Sequence, residues 1–333
     1  MKAYVIKSRE DVGKPLTEAV SLVDDQPKPV PADDEVLVRV RATGLNPVDW
    51  KLVAGGNAKW TYPHVLGLDL AGDIVEVGSK VQPSWKTGMR VAGHLNLAKD
   101  GCFAEYVAVP TYELAEIPEP LGYADAAALL CGALTAYQAI NRKPNLNNVD
   151  TVLVHGGAGS VGALAIQFAK LHGLRVITTV SPRKLDFVKK AAPDVVIDYT
   201  KDDVTARIAE LTDGHGVDLI VDTVSGEEAT KDLDRLAYNG QLVTIVGIPK
   251  IDPDFMFAHA ISVAAVNLGG AHESGDPRQK KDLGEMATEV LQLAAEGEID
   301  PMIGETIPFA GLLDGLEAIK DHRAIGKIVV TVD

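Results

Sequence analysis

Polar and apolar side chains alternate along residues 35–42 (Glu35-Val36-Leu37-Val38-Arg39-Val40-Arg41-Ala42) as they do in a strand with one buried face. Residues 72–77 and 103–109 favour strands too, as do the opening residues Met1-Lys2-Ala3-Tyr4-Val5-Ile6. Pro27, Pro29 and Pro31 mark a loop ahead of the 35–42 run. Beyond residue 150 the pattern changes. Short β-favouring runs at 175–180, 195–199, 217–222 and 241–246 are separated by helical stretches such as 203–211 and 227–236. This alternation predicts an α/β fold with a parallel sheet and right-handed crossovers. The tail carries helical patterns at 281–296 and 312–323 and a last strand at 327–332. The apolar stretch 261–268 completes a six-stranded sheet, which leaves the last strand to pair with the β-rich N-terminal part.

The first strand of the second region carries the clearest chemical signal. Val152-Leu153-Val154 lead into His155-Gly156-Gly157-Ala158-Gly159-Ser160-Val161-Gly162, and Val161, Ala165, Phe168 and Ala169 continue as a helical apolar stripe. Glycines let the backbone turn sharply and approach a pyrophosphate, whose charge rests on amides at the helix N-terminus. The loop lies between strand and helix, with a further strand at βαβ distance. That context points to dinucleotide binding rather than to an ordinary turn.

Bulk properties narrow the class. A chain of 333 residues suggests two domains, and 46% hydrophobic with 24% charged residues is the composition of an ordinary globular protein. A formal net charge of -15 argues against a nucleic-acid or anionic-membrane surface. No apolar run reaches transmembrane length, no signal peptide opens the chain, and Cys102 and Cys131 form no CxxC, so a reduced, cytoplasmic protein is expected.

With these segments in place, the chain resembles the medium-chain dehydrogenase/reductase superfamily, specifically its zinc-free quinone oxidoreductase (zeta-crystallin-like) branch. The matching segments are Gly44-Leu45-Asn46-Pro47-Val48-Asp49, Gly67-Leu68-Asp69-Leu70-Ala71-Gly72, Phe103-Ala104-Glu105-Tyr106, Leu134-Thr135-Ala136-Tyr137, the glycine loop and Gly326-Lys327-Ile328-Val329. The resemblance implies a GroES-like β-rich catalytic domain from residues 1–124 and 269–333, with a Rossmann doubly wound domain over 125–268. It also implies a homodimer joined through the sheet edge near 261–268.

Zinc-dependent relatives place a cysteine ligand where Asn46 stands and Gly-His-Glu where Gly67-Leu68-Asp69 stand, and their third ligand falls at Cys131. One candidate ligand therefore survives without companions. The eight histidines show no metal-like spacing, and no metal is expected. The second strand ends in Thr178-Thr179-Val180-Ser181-Pro182-Arg183-Lys184, without the acid that binds the ribose 2′-hydroxyl in NAD-preferring units. Ser181, Arg183 and Lys184 suit a 2′-phosphate instead, and Lys184 and Tyr199 match the spacing of the lysine and tyrosine that bind it in NADPH-using relatives. The alternative is that Arg183 and Lys184 begin a solvated helix while Tyr199 caps a strand. NADPH is the expected cofactor. Val246, Gly247, Leu268, Gly269, Gly270 and Lys327 are further expected contacts, with the glycines otherwise simple turns.

By resemblance Asn46 and Thr135 lie beside the nicotinamide, where an amide and a hydroxyl orient ring or substrate. Otherwise Asn46 is a turn residue before Pro47, and Thr135 a hydroxyl bonded to its own helix. Lys51 stands where relatives carry tyrosine or a relay histidine. It donates a proton if desolvated, or points to water. Trp60, Tyr62 and His94 are candidate pocket walls or packing. The leading function is NADPH-dependent hydride transfer, without zinc, to quinones or α,β-unsaturated carbonyls, small-molecule substrates. The alternatives are a zinc-type alcohol dehydrogenase and a non-catalytic NADPH-binding sensor or structural protein.

Overall fold

The structure is a computed structural model that describes Met1 to Val332, and the chain divides into two units. The first holds residues 1–134, 269–297 and those from Ile303 onward, and the second holds 135–268 with the short return 298–302. The division thus falls later than residue 124. The helix Tyr123–Ala128 packs on the strands Glu35–Gly44, Asp69–Val77 and Lys327–Thr331, which binds it to the first unit.

In the first unit a seven-stranded sheet runs in the order Ile303–Pro308, Lys327–Thr331, Glu35–Gly44, Asp69–Val77, Arg90–His94, Leu114–Glu116, and Tyr106–Pro110 also pairs with Glu35–Gly44. Val36, Val38 and Val40 enter one core with Leu70, Ile74, Val91, Val107 and Val109, as their alternation requires. Each such side chain contributes about 1.5–3 kcal/mol by leaving water. The last strand pairs antiparallel with Glu35–Gly44, with Val329 opposite Gly44. A register shift at Arg41 sets the local geometry: Val40 faces Gly72 while Ala42 faces Ala71, which brings Gly44 opposite Asp69.

The strand expected at 103–109 begins only at Tyr106. Phe103 and Ala104 serve another sheet, because Tyr4 N donates to the Phe103 carbonyl at 2.8 Å and Ala3 bridges to Ala104. Ala3–Ile6 is the middle strand of that three-stranded sheet, between Val20–Val23 and His64–Val65.

The second unit is built on six parallel strands in the order Val195–Asp198, Arg175–Val180, Thr151–Val154, Val217–Asp222, Leu236–Thr244, Ser262–Ala265. Leu153, Ile177, Ile197, Ile220 and Leu242 form its core. Strands covered on both faces read as continuous apolar runs, which is why this region was legible from composition. The strand order reverses between Thr151–Val154 and Val217–Asp222, and open sheets bind ligands at such a point, beyond the C-terminal strand ends. Among the described residues no helix is long and apolar enough to cross a membrane.

Candidate active site

In the second unit the glycine loop leaves the end of Thr151–Val154. Gly156 has φ of 67°, which a side chain resists, and a Cβ there would stand 2.7 Å from Thr223 Oγ1. A Cβ on Gly157 would lie 2.1 Å from Thr178 Oγ1, and one on Gly162 would lie 2.4 Å from the Gly156 carbonyl oxygen. Gly156 therefore serves the turn, and Gly157 and Gly162 the close approach of strand and helix. Ala158 is buried, and Gly159 precedes the helix Ser160–Leu171, which includes Val161. The first amides of that helix have no carbonyl partner within it and form its positive end.

Val180 and Asp198 are register partners, so Ser181 and Tyr199 leave the sheet side by side. Ser181 precedes the turn Pro182–Lys184 that carries Arg183. Lys184 is half-buried, and desolvation, reinforced by the like charge of Arg183, lowers its pKa. Such a pair of cations gains from an anion between them. Tyr199 is largely exposed. Asp198 engages its own loop, accepting from Thr200 Oγ1 at 2.6 Å and pairing with Lys201. Val246 is exposed, Gly247 packs where a Cβ would meet the Gly226 amide nitrogen at 2.5 Å, and Leu268 is buried.

His155 anchors the loop from below. Its Nδ1 lies 3.1 Å from Thr179 Oγ1 and its Nε2 2.8 Å from Asp232 Oδ1. His155, Glu228 and Asp232 bring together three atoms of metal-ligand type. The Arg235 guanidinium already stands among them, 2.5 Å from Glu228 Oε1, 2.7 Å from Asp232 Oδ1 and 3.4 Å from His155 Nε2. An organic cation thus supplies the positive charge that this cluster needs.

In the first unit the register Gly44–Asp69 creates a second, fully buried cluster. Lys327 reaches past Gly44 and donates from Nζ to Asp69 Oδ2 and to Asn46 Oδ1, both at 2.6 Å. Asn46 Nδ2 donates to Asp69 Oδ2 at 2.8 Å and to the Gly44 carbonyl at 3.2 Å. The Cys131 amide donates to the other Asp69 oxygen at 2.9 Å. Asp69 and Lys327 are 0% and 1% exposed, so this ion pair survives in a dry interior only because its polar atoms are matched. Lys327, expected as a cofactor contact, is turned inward onto Asn46 and Asp69. The amide of Asn46, expected to face nicotinamide and substrate, directs both its donors and its acceptor at protein groups.

Asn46 also begins the helix Pro47–Gly55, where Asp49 Oδ2 accepts from the Asn46 amide at 2.8 Å. Burial pushes the Asp49 carboxyl up to about 8, and the neighbouring Asp69 adds to the shift. Lys51, on the same helix, is exposed, with its ammonium 5.9 Å from the Trp50 ring, so it lacks the desolvated surroundings that a proton-donating lysine was expected to have. Thr135 is buried on the helix Cys131–Tyr137. Desolvation holds the Cys131 thiol well above its ordinary range. Trp60 packs edge-on to Tyr62 and stacks on His64 at 4.2 Å, with its indole N–H donating to the Leu97 carbonyl. Trp60 is therefore fixed as packing on at least one face.

His94 is buried, opposite Asp69 across the strand pair, and burial pulls its pKa down to about 4. Its Nδ1 faces His272 Nε2 at 3.2 Å. His272 sits in the short helix Gly270–Glu273 that Gly269 introduces. Sequence reasoning missed His272, Glu113 and the Asp69–Lys327 pair, because partners 178 and 258 positions apart leave no local spacing.

Residues 32–119 match the alcohol dehydrogenase GroES-like domain, and residues 192–330 match the family described as zinc-binding dehydrogenase. A quinone oxidoreductase-like protein 2 homolog of Nematostella vectensis is 30% identical over 336 aligned positions, covering 99% of this chain and 89% of the relative. The chain belongs to the medium-chain dehydrogenase/reductase superfamily, on its quinone oxidoreductase branch. It is an oxidoreductase. This superfamily member is also similar to the trans-enoyl reductase TOXD of Cochliobolus carbonum, at 36% identity over 66% of this chain and 78% of the relative. Among solved structures it is similar to Pseudomonas syringae quinone oxidoreductase, with a TM-score of 0.86 and 26% identity over 99% of both chains. Mycobacterial Rv1454c, solved with NADPH, has a TM-score of 0.86 and 28% identity over 100% of both chains.

Proposed function

We propose that this oxidoreductase transfers hydride from NADPH to quinones or α,β-unsaturated carbonyl compounds without zinc. The observation that carries the reading is the Lys327 ammonium, 2.6 Å from both Asn46 Oδ1 and Asp69 Oδ2. Zinc-dependent relatives place ligands where Asn46, Leu68 and Cys131 stand. Leu68 has no donor atom, the Asn46 amide is already engaged, and a dication beside the ammonium would meet its charge. These residues do not fit zinc.

The glycine cradle and the start of Ser160–Leu171 suit a pyrophosphate, and the half-buried Lys184 with Arg183, Ser181 and Tyr199 suits a 2′-phosphate. Bound there, NADPH supplies a hydride, as the NADPH complex of Rv1454c and the names of the quinone and trans-enoyl reductase relatives suggest. A conjugated acceptor spreads the incoming charge onto an oxygen, which needs only a few donors and then a proton. Thr135 offers a hydroxyl for this, whereas the exposed Lys51 lacks the desolvated surroundings that donation would need. Asn46, fixed by Lys327 and Asp69, acts as a rigid wall. The protein works as a homodimer joined through the edge strand Ser262–Ala265.

The competing zinc-type alcohol dehydrogenase is separated by assaying chelator-treated protein. Quinones and enones should oxidise NADPH, and primary alcohols with NADP⁺ should give nothing even with added zinc. Alcohol oxidation restored by zinc overturns the reading.

A further inference from the structure

We propose that His155 and Thr179 are positioning residues for the dinucleotide. A file of hydrogen bonds from Arg235 through Asp232, His155 and Thr179 to the Gly156 amide holds the glycine loop in its binding shape before the cofactor arrives. The proposal rests on the cofactor reading above and names the residues that prepare its pyrophosphate site.

Every link of the file is a hydrogen bond within the second unit. The Arg235 guanidinium donates to Asp232 Oδ1 at 2.7 Å, and His155 Nε2 meets the same oxygen at 2.8 Å. His155 Nδ1 lies 3.1 Å from Thr179 Oγ1, and that hydroxyl oxygen accepts from the Gly156 amide at 3.3 Å. The Thr179 carbonyl accepts from the next amide, that of Gly157, at 3.2 Å. Thr179 therefore holds the two amides that open the loop, and the helix start beyond Gly159 is left to an anion. His155, Thr179, Asp232 and Arg235 are all buried.

Donors and acceptors alternate along the file. The Asp232 carboxylate only accepts, so the ring hydrogen of a neutral His155 sits on Nε2 and Nδ1 accepts. The Thr179 hydroxyl gives its hydrogen to Nδ1 and keeps its lone pairs for the Gly156 N–H. The far end of the file is fixed, because Arg235 also donates to Glu228 Oε1 at 2.5 Å and to Thr205 Oγ1 at 3.0 Å. These contacts tie it to the helices Gly226–Asp232 and Val204–Leu211. The His155 backbone reaches the opposite way: its amide donates to the Val221 carbonyl at 3.0 Å, and its carbonyl accepts from Thr223 Oγ1 at 2.8 Å. His155 thus joins the C-terminal ends of Arg175–Val180, Thr151–Val154 and Val217–Asp222, where the strand order reverses. Glycine loses more conformational freedom on ordering than any other residue, so a loop opened by two glycines needs such a brace to be ready for its ligand.

Thr179→Val keeps the shape of the side chain and removes the hydroxyl, and Thr179→Ser restores it. His155→Phe keeps a ring and breaks both side-chain links, while Asp232 stays paired with Arg235. Calorimetric titration should show Thr179→Val and His155→Phe each weakening NADPH and NADH by the same factor, about 10-fold, since both dinucleotides carry the pyrophosphate. Adenosine 2′-monophosphate, which has no pyrophosphate, should bind both variants as it binds wild type, which also shows that they are folded. Thr179→Ser should recover wild-type affinity. The double variant should lose little more than either single one, because both substitutions cut the same file. Wild-type dinucleotide affinity in Thr179→Val, equal weakening of adenosine 2′-monophosphate, no rescue by serine, or additive losses in the double variant overturns the proposal and leaves the cofactor reading in place. Failure of the wild-type protein to bind either dinucleotide removes the cofactor reading itself, and the role proposed here with it.

Discussion

A side chain on Gly44 would occupy the space that Lys327 fills: its Cβ would stand 2.5 Å from Lys327 Cε, 2.7 Å from the Ala127 carbonyl oxygen and 2.9 Å from Asp69 Oδ2. The lysine stem has no room to swing, because its far end is held by two hydrogen bonds of 2.6 Å. Gly44→Ala should therefore break the buried pair rather than be absorbed, at a cost of about 3–5 kcal/mol. Urea unfolding monitored by fluorescence checks this, and a loss below about 1 kcal/mol would show that the cluster yields.

Removing the cation alone should be as damaging as blocking it. Lys327→Met leaves the Asp69 carboxylate buried without a counter-charge and should also cost about 3–5 kcal/mol. Adding Asp69→Asn removes the stranded charge and should recover part of that loss. A double variant no more stable than Lys327→Met would mean that the two residues do not act as a pair.

Lys184→Ala should weaken NADPH selectively, by about 1.5–3 kcal/mol, the usual contribution of a hydrogen bond to a charged group. NADH has no 2′-phosphate and should bind as before. Fluorescence titration with both cofactors reads the difference, and equal losses would remove the phosphate pocket from this position.

Stability should carry a signature of Asp49. Its carboxyl titrates near 3.8 when unfolded and at about 8 when folded, so the native state holds an extra proton between those values. The stabilisation from that proton is complete below about 4 and is lost as pH rises through about 8, at about 1.4 kcal/mol per unit. Asp49→Asn mimics the protonated acid and does not titrate. The stability of this variant relative to wild type should thus climb steadily from pH 4 to 8. His94, whose pKa falls from 6.5 to about 4, adds a slope of opposite sign below 6.5 that is common to both proteins and cancels. Melting temperatures at several pH values test this, and a gap independent of pH contradicts it.

The second unit was readable in the sequence because its central strands are buried on both faces and bounded by turns. Arg175–Val180 and Val217–Asp222 coincide end to end with the apolar runs. The first unit was harder. Phe103 and Ala104 have strand-forming character but pair with Tyr4 and Ala3 in a separate sheet, and composition does not name a strand's partner. Asn46 was expected beside the nicotinamide, but the direction of its amide depends on Lys327, 281 positions away. His272 carried no signal, since a lone histidine in a glycine-rich turn reads as a surface residue until Glu113 and His94 are placed around it.

The activity proposed for this protein is zinc-independent hydride transfer from NADPH to a conjugated acceptor. It is tested most directly by single-turnover reaction of chelator-treated protein with NADPH deuterated at C4 and a panel of enones, followed by mass spectrometry and NMR of the product. Deuterium should appear at the β-carbon, in amounts matching NADPH oxidised and unchanged by added zinc. No label at that carbon across the panel, or label that appears only once zinc is supplied, would contradict it.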